Sequence, residues 1–401
     1  MRHVRRWAIG GALVAACAVL AACSKPSAGT SASASASTAE PGAPLPGLTR
    51  AELARFAAGQ TLFTRTFTPA EGLGPLFNET RCSNCHDLPA AGGTGAELVT
   101  KATRFVAGRC DPLTAHGGDN VQRHATPLLQ AAGTAHEQVP AGATSVTNIV
   151  PPALFGLGLL EAVSDADILA HENPAANTGD GIAGRAARTA DHRVGRFGRK
   201  AEFATLADFI ETAIRLEMGL TTPRHPDDER INGRRLPTGT DPAADPEVSQ
   251  ADVDAIVDFV RFLALPAPER TVGAAADSIA RGERLFRDVG CSRCHASTFV
   301  TAPSAVPALD RRTLSAWSDL LLHDLGVELA SNCSSDAAPS VWRTAPLMGI
   351  RHRKLLLHDG RALSIDGAVR LHGGEAQGVR KAYERLSPEQ RVLLVRFVGS
   401  L

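Results

Sequence analysis

Apolar residues recur at helical spacing in four stretches of the chain. Leu53, Phe56, Ala57 and Leu62 follow Thr49-Arg50-Ala51-Glu52, a capping box, and predict a helix beginning there. Leu206, Phe209, Ile210, Ala213 and Ile214 predict another from Thr205 to Met218. Val253, Ile256, Val257, Val260 and Leu263 share one face of a helix that starts at Ser249 and stops at Pro266. The last, opened by Ser387-Pro388 as N-cap and first-turn proline, carries Leu393, Leu394, Phe397 and Val398. Strand alternation is weak throughout. The stretch 90–246, rich in Gly, Pro, Asp and Arg, reads as loops with short helices. The expected fold class is therefore mainly α.

A repeat underlies this pattern. Gly59-Gln60-Thr61-Leu62-Phe63 precedes Cys82-Ser83-Asn84-Cys85-His86, and Gly282-Glu283-Arg284-Leu285-Phe286 precedes Cys291-Ser292-Arg293-Cys294-His295. Phe63 lies 19 residues before Cys82 and Phe286 lies 5 before Cys291, so the first copy carries an insertion of 14. Each copy then ends in one of the closing helices. A helix, a Cys-x-x-Cys-His motif and a closing helix make the plan of a cytochrome c domain. Two such domains are expected, over 47–265 and 276–401, joined at Pro266–Ala275; the first is enlarged by long loop insertions.

The motif spacing has a mechanical reason. Two cysteines on one helical turn reach both vinyl groups along one haem edge, and the histidine that follows is set under the iron. Cys82, Cys85, Cys291 and Cys294 are the expected attachment residues, His86 and His295 the proximal ligands, and two covalent haem c groups the expected cofactors. A structural zinc site would need four ligands around one ion. A redox dithiol would not need the repeated histidine.

Composition agrees with a cofactor protein. The 401 residues are 44% hydrophobic but only 4% aromatic, so a large prosthetic group can supply apolar core that the side chains lack. Formal net charge is 0, and no Lys/Arg-rich run appears, which gives no support to nucleic-acid binding.

The N-terminus reads as a targeting segment. Arg2, Arg5 and Arg6 form a basic start, and Ala8–Val19 is apolar but too short to span a bilayer. Leu20-Ala21-Ala22-Cys23 resembles the bacterial lipobox, which implies cleavage after residue 22 and lipidation of Cys23. Without residues 1–22 the charge becomes −3. Residues 23–46, mostly Ser, Ala, Thr, Gly and Pro, read as a flexible tether. The expected location is the cell envelope, periplasm-facing and lipid-anchored, with the outer membrane favoured because Ser24 rather than an aspartate follows Cys23. In that compartment Cys110 and Cys333 either pair as a disulfide or stay as buried thiols; the sequence leaves both open.

Past Cys23 the methionines are Met218 and Met348. Met218 reads as helix core. Met348 and His358 are candidate ligands to the second haem, with His323, His352 and His372 nearby in sequence. Arg343 and Arg361 are candidate partners of haem propionates, and Arg196 and Lys200 are further options. Glu161, after Gly156-Leu157-Gly158-Leu159-Leu160, is the candidate acid–base catalyst, ahead of His116, His124 and His136.

These residues carry a resemblance. Cys82–His86, the Gly156–Ala162 run, Gly195-Arg196-Phe197-Gly198-Arg199-Lys200-Ala201, Leu322–Gly326 and Trp342–Ala376 make the chain similar to the di-haem oxidoreductase family, related to the di-haem bacterial cytochrome c peroxidases. The resemblance implies two cytochrome c-like domains and electron transfer between haems. It also implies reduction of a small oxidant such as hydrogen peroxide, with electrons from a cytochrome- or cupredoxin-type donor protein. Two departures stand out. The methionine ligand of the peroxidases' electron-transfer haem aligns with Leu357, which cannot bind iron, and no tryptophan stands in the first half after the leader. No acidic cluster in the sequence specifies the calcium site that related peroxidases suggest. A pure electron carrier with both haems six-coordinate is the competing reading. A maturation or metal-handling accessory is a third.

Overall fold

The computed structural model describes residues 38–173, 179–269, 271–296 and 298–401. The basic leader, Cys23 and most of the Ser/Ala-rich stretch lie outside them. No helix among the described residues is long and apolar enough to cross a membrane.

Two helix pairs frame the structure. Arg50–Thr64 packs against Gln250–Arg261, and Ala274–Asp288 against Pro388–Val398. The first begins as its sequence predicts: Thr49 Oγ1 accepts from Glu52 N–H, and Glu52 Oε2 accepts from Thr49 N–H at 2.6 Å. Ser249 and Ser387 cap the two closing helices. Both repeat copies end on a phenylalanine that stands beside its motif histidine. Phe63 lies 6.3 Å from His86, ring to ring, and Phe286 lies 6.2 Å from His295.

The fold is mixed α/β rather than mainly α. Helices hold 33% of the described residues and strands with bridges 16%. The difference lies in the middle of the first half. Val99–Val106 runs antiparallel to Arg109–Asp111, Asn120–Val121 and Ser145–Ile149. β-Branched and aromatic residues fill Val99–Val106, and Val99, Ala102 and Thr103 are buried. Ala107 and Gly108, both at positive φ, close a two-residue hairpin turn. That turn was the legible signal; charged residues interspersed along the strand masked its alternation.

The main hydrophobic cluster draws on both halves of the described chain, from Leu45 to Met348. Phe56, Phe63, Phe259 and Phe262 join Phe299, Leu309, Leu320 and Met348 in it. A second cluster gathers Phe286, Ile350, Leu356, Tyr383, Leu394 and Phe397. Part of the expected tether is packed. Thr38–Ala39 pairs in parallel with Leu265–Pro266, and buried Leu45 donates its N–H to Phe262 O at 2.7 Å. Leu45 is an isolated apolar residue among prolines, too short a signal to predict packing.

Cys110 and Cys333 form a disulfide, with 5.8 Å between their Cα atoms. It joins the Arg109–Asp111 strand to the segment before Val341–Arg343.

Candidate functional site

Each Cys-x-x-Cys-His motif opens onto its own cavity. Cys82–Cys85 forms a single helical turn, and its cavity has an empty space of about 1290 Å³, open mouth included. Phe63, Leu154, Phe203, Ile210, Ile214, Met218 and Val260 are among its apolar walls. Cys291–Arg293 forms a tight turn directly after the Ala274–Asp288 helix, on a cavity of about 1530 Å³ measured in the same way.

The two motif histidines are oriented alike. His86 Nδ1 lies 3.0 Å from Gly93 O, and His295 Nδ1 lies 2.9 Å from Trp317 O. A carbonyl can only accept, so Nδ1 carries the proton and Nε2 keeps its lone pair. Burial lowers both pKa values, His295 to about 4, which keeps the rings neutral. This is the tautomer and charge state a metal requires, fixed in advance by backbone. The four motif cysteines are not disulfide-bonded. Burial pushes Cys82, Cys85 and Cys291 up to about 12, the opposite of an activated redox dithiol.

Three guanidiniums on the His295 cavity have no ion-pair partner among the described residues. Arg199, Arg343 and Arg353 line the His295 cavity. Arg199 Nε, Arg343 Nη1 and Arg353 Nε are buried with no hydrogen-bond partner. Burial lowers their pKa values, Arg199 to about 9 and the other two to about 10; repulsion from Arg353 and Arg343 adds to the effect on Arg199. Orphaned cationic donors around an apolar cavity fit a planar apolar ring bearing carboxylates. With the cysteine pairs and pre-set imidazoles, the residues present fit a haem in each cavity.

The carboxylates of the His86 cavity were missed in the sequence. Glu202 and Glu217 line it, with Glu79 and Lys101. Burial raises both Glu202 and Glu217 above the ordinary carboxylate range. Glu202 Oε2 accepts from Lys200 N–H at 3.0 Å. Glu217 is held at both oxygens, accepting from Asn78 Nδ2 at 2.7 Å and Asn120 Nδ2 at 3.1 Å. Glu217 left one signal: a carboxylate in a helix's last turn opposes the helix dipole.

Several sequence candidates sit elsewhere. Glu161 lines neither motif cavity. Its carboxylate pairs with Arg261 Nε at 2.8 Å and accepts from Leu206 N–H at 2.8 Å, which corrects its reading as acid–base catalyst. Met348 is buried in the main core and lines neither cavity. Met218 is in the main core, as read, and also lines the His86 cavity. Arg361 is off both walls, held by Asp359 and Glu328 O. Arg196 binds the carbonyls of Glu161 and Val163 and pairs with Asp165. Lys200 donates to Ala338 O, Pro339 O and Val341 O. His116, His124, His136 and His352 line neither cavity.

Arg343 and His358 do line the His295 cavity. His358 stacks on Trp342 with ring centres 4.0 Å apart, while Lys200 Nζ covers that indole at 3.6 Å. His358 Nε2 lies 3.1 Å from Ser331 Oγ. His372 lines the same cavity, its Nδ1 held by Ala368 O at 2.7 Å. His323 is clamped between Asp319 and Glu375, at 2.9 and 2.8 Å. Burial alone would lower it, but hydrogen bonds to Asp319, Cys294 and Glu375 raise it to about 12, so it is protonated and its ring offers no lone pair to a metal. An acidic cluster that the sequence did not reveal does exist: Asp228, Asp241, Asp245 and Glu247 converge, with oxygens within 4.8 Å of one another.

No curated protein matches the chain. Among solved structures, a MauG-like protein associated with microbial copper homeostasis is similar at 13% identity and a TM-score of 0.40, covering 91% of this chain and 93% of its own. A variant of the diheme peroxidase BthA from Burkholderia thailandensis is similar at 14% identity and a TM-score of 0.37, covering 91% and 89%. Hydrazine synthase of Kuenenia stuttgartiensis is similar at 18% identity and a TM-score of 0.27, over 39% of this chain. That match spans 57% of the hydrazine synthase chain, less than two thirds of its length. The family described as "Di-haem oxidoreductase, putative peroxidase" matches residues 142–401, which take in the His295 motif, Arg199, Glu202 and the His295 cavity's arginines. By that match the chain belongs to the di-haem oxidoreductase family.

Proposed function

We propose that the chain binds one haem c in each motif cavity, through Cys82 and Cys85 with His86 as proximal ligand, and through Cys291 and Cys294 with His295. It acts as a peroxidase-type oxidoreductase that reduces hydrogen peroxide or a related small oxidant at the His86 site. Electrons enter from a donor protein of cytochrome or cupredoxin type by way of the His295 site. One observation carries the assignment of chemistry to the His86 side: its cavity holds half-buried, ionisable Glu202, whereas the His295 cavity offers imidazoles and guanidiniums.

Bound haem iron would supply the redox chemistry that breaks the peroxide bond. Reducing hydrogen peroxide to two waters takes two electrons and two protons, so a group must take a proton from one oxygen and deliver it to the other. Glu202 suits this. Its Oε2 accepts from the Lys200 N–H, which orients the carboxyl group. Burial raises its pKa toward working pH, where a carboxylate both accepts and returns a proton. Lys101, in a salt bridge with Asp119 at 3.2 Å, favours the charged form and limits that rise. Arg343 and Arg353 would hold propionates on the His295 side.

The pair of pre-motif and closing helices around each motif supports two cytochrome c-like units, over 47–265 and 276–401. The lipobox-like sequence supports a lipoprotein processed after residue 22, acylated at Cys23 and held in the cell envelope facing the periplasm, at the outer membrane. Metabolic labelling with a fatty acid, lost in Cys23→Ala, tests that anchor.

A pure carrier is the second reading, favoured by Met218 on the His86 cavity and by His358 and His372 on the other. Absorption and EPR spectra of the holoprotein, oxidised and half-reduced, separate the two. A high-spin ferric signal and a new species with hydrogen peroxide support the enzyme. Two low-spin haems indifferent to peroxide in both states leave the carrier.

A further inference from the structure

The two motif cavities share a wall. Pro151, Pro152 and Arg199 line both. Proline has no donor and no charge, so Arg199 is the polar group of that wall. Its position is fixed from two sides. Nη2 donates to Val150 O at 2.7 Å, next to the proline pair, and its own carbonyl accepts from Arg343 N–H at 3.2 Å. Nε is buried and has no partner. Arg343 and Arg353 face only the His295 cavity and repel its charge. Glu202 and Asp359 attract it, but neither hydrogen-bonds it. A guanidinium set in a cavity wall, with a buried donor left unpaired and like charges around it, needs anions. Trp317 and Trp342 do not span the wall: Trp342 lines only the His295 cavity and Trp317 lines neither.

We propose that Arg199 serves both cofactor sites at once, donating to a propionate of each haem and coupling their reduction through one shared positive charge. The proposal rests on the reading that each cavity binds a haem c. An arginine side chain keeps its charge throughout the working pH range. Each reduction adds one negative charge to a ring, and a fixed cation between the rings favours both reductions. Arg353 lines one cavity only, so it acts on one haem. A single shared contact and two separate ones therefore differ in what their removal does.

The test is a spectroelectrochemical titration of full-length holoprotein, with haem first counted as pyridine haemochromogen. Wild type, Arg199→Met, Arg199→Lys and Arg353→Met are compared. The expected result is two haems per chain in each. Arg199→Met shifts both midpoints negative, by at least tenfold in each reduction equilibrium, about 59 mV per electron. Arg199→Lys keeps the charge but loses the forked geometry, and moves both midpoints by less. Arg353→Met moves one. With both haems in place, an Arg199→Met protein in which one midpoint or neither moves overturns the proposal. If Arg199→Met fails to take up haem, Arg199→Lys decides in the same way: two shifted midpoints support sharing, and one or none refutes it. Fewer than two haems in the wild type would instead overturn the cofactor reading itself.

Discussion

Gly59 lies directly against the backbone of Ala255: a Cβ at position 59 would come 1.9 Å from the Ala255 carbonyl oxygen. Gly282 repeats the relationship in the second half, with a Cβ meeting Leu393 O at 2.1 Å. Both glycines are the first residue of the five-residue repeat, and both sit where a pre-motif helix crosses its closing helix. The obstacle is helix backbone, which cannot swing aside as a side chain can. Gly59→Ala and Gly282→Ala should each destabilise the protein by about 1–3 kcal/mol or more. Each crossing also sets a phenylalanine beside a motif histidine, so haem incorporation should fall at the affected site first. Thermal unfolding and haem content per chain check this. A fully loaded Gly59→Ala protein with unchanged Tm would show that the crossing is looser than the backbone contact implies.

The repeat that marks the two pre-motif helices is legible in the sequence, because glycine, phenylalanine and the motif recur in fixed order; that its glycines are the crossing points is visible only in the fold. Helices with long apolar stripes and serine or threonine caps were legible for the same reason: their signals are local. The Val99–Val106 sheet was hidden because its strands alternate imperfectly and pair over long separations. The site residues divide along the same line. Cys82–His86 and Cys291–His295 carry their chemistry in their spacing. Arg199 and Glu202 matter because of what lies across a cavity from them. Glu161 misled for the converse reason: a carboxylate after an apolar run looks delivered to a pocket, but Arg261, 100 residues away, takes it.

Glu202→Gln should keep both haems and slow the reaction with peroxide by about 10²–10⁴-fold. In the wild type that rate should rise with pH through the pKa of Glu202, which burial places above the ordinary carboxylate range. The variant should lose that limb. Glu217→Gln, at a carboxylate already held by Asn78 and Asn120, should have the smaller effect. Stopped-flow mixing across a pH series distinguishes them. Equal losses in both variants, or an unchanged limb in Glu202→Gln, would move the proton-transfer role away from Glu202.

The Cys110–Cys333 disulfide closes a loop with a sequence separation of 223. Loop-closure entropy gives about 5 kcal/mol for so long a loop. The bridge also steadies a segment that reaches both cavities: Asn332 lines the His86 cavity and Ser331 holds His358 on the other. Cys110→Ser should therefore lower Tm and alter the absorption of both haems. A lower Tm with spectra unchanged at both haems would confine the bridge to stability.

Glu137 ties two loops together, accepting from Gln122 N–H and from Asn232 N–H at 3.0 Å, and is 4% exposed. Burial raises its pKa from 4.5 to about 7. Between those values the folded chain binds more protons there than the unfolded chain, so its contribution to stability falls as pH rises. Asp228, also raised to about 7 by burial and by neighbouring carboxylates, adds to the same slope. Below pH 4.5 the Glu137 contribution is level, and above about 7 its full cost is reached. Tm of the wild type should thus decline from pH 5 to pH 8. Glu137→Gln removes the titrating group, keeps one acceptor oxygen, and should flatten the decline while lowering Tm at pH 5, where the protonated acid already satisfies the site. A slope from pH 5 to pH 8 unchanged by Glu137→Gln would mean that Glu137 is ionised in the folded protein throughout, with its two backbone donors outweighing the cost of burial.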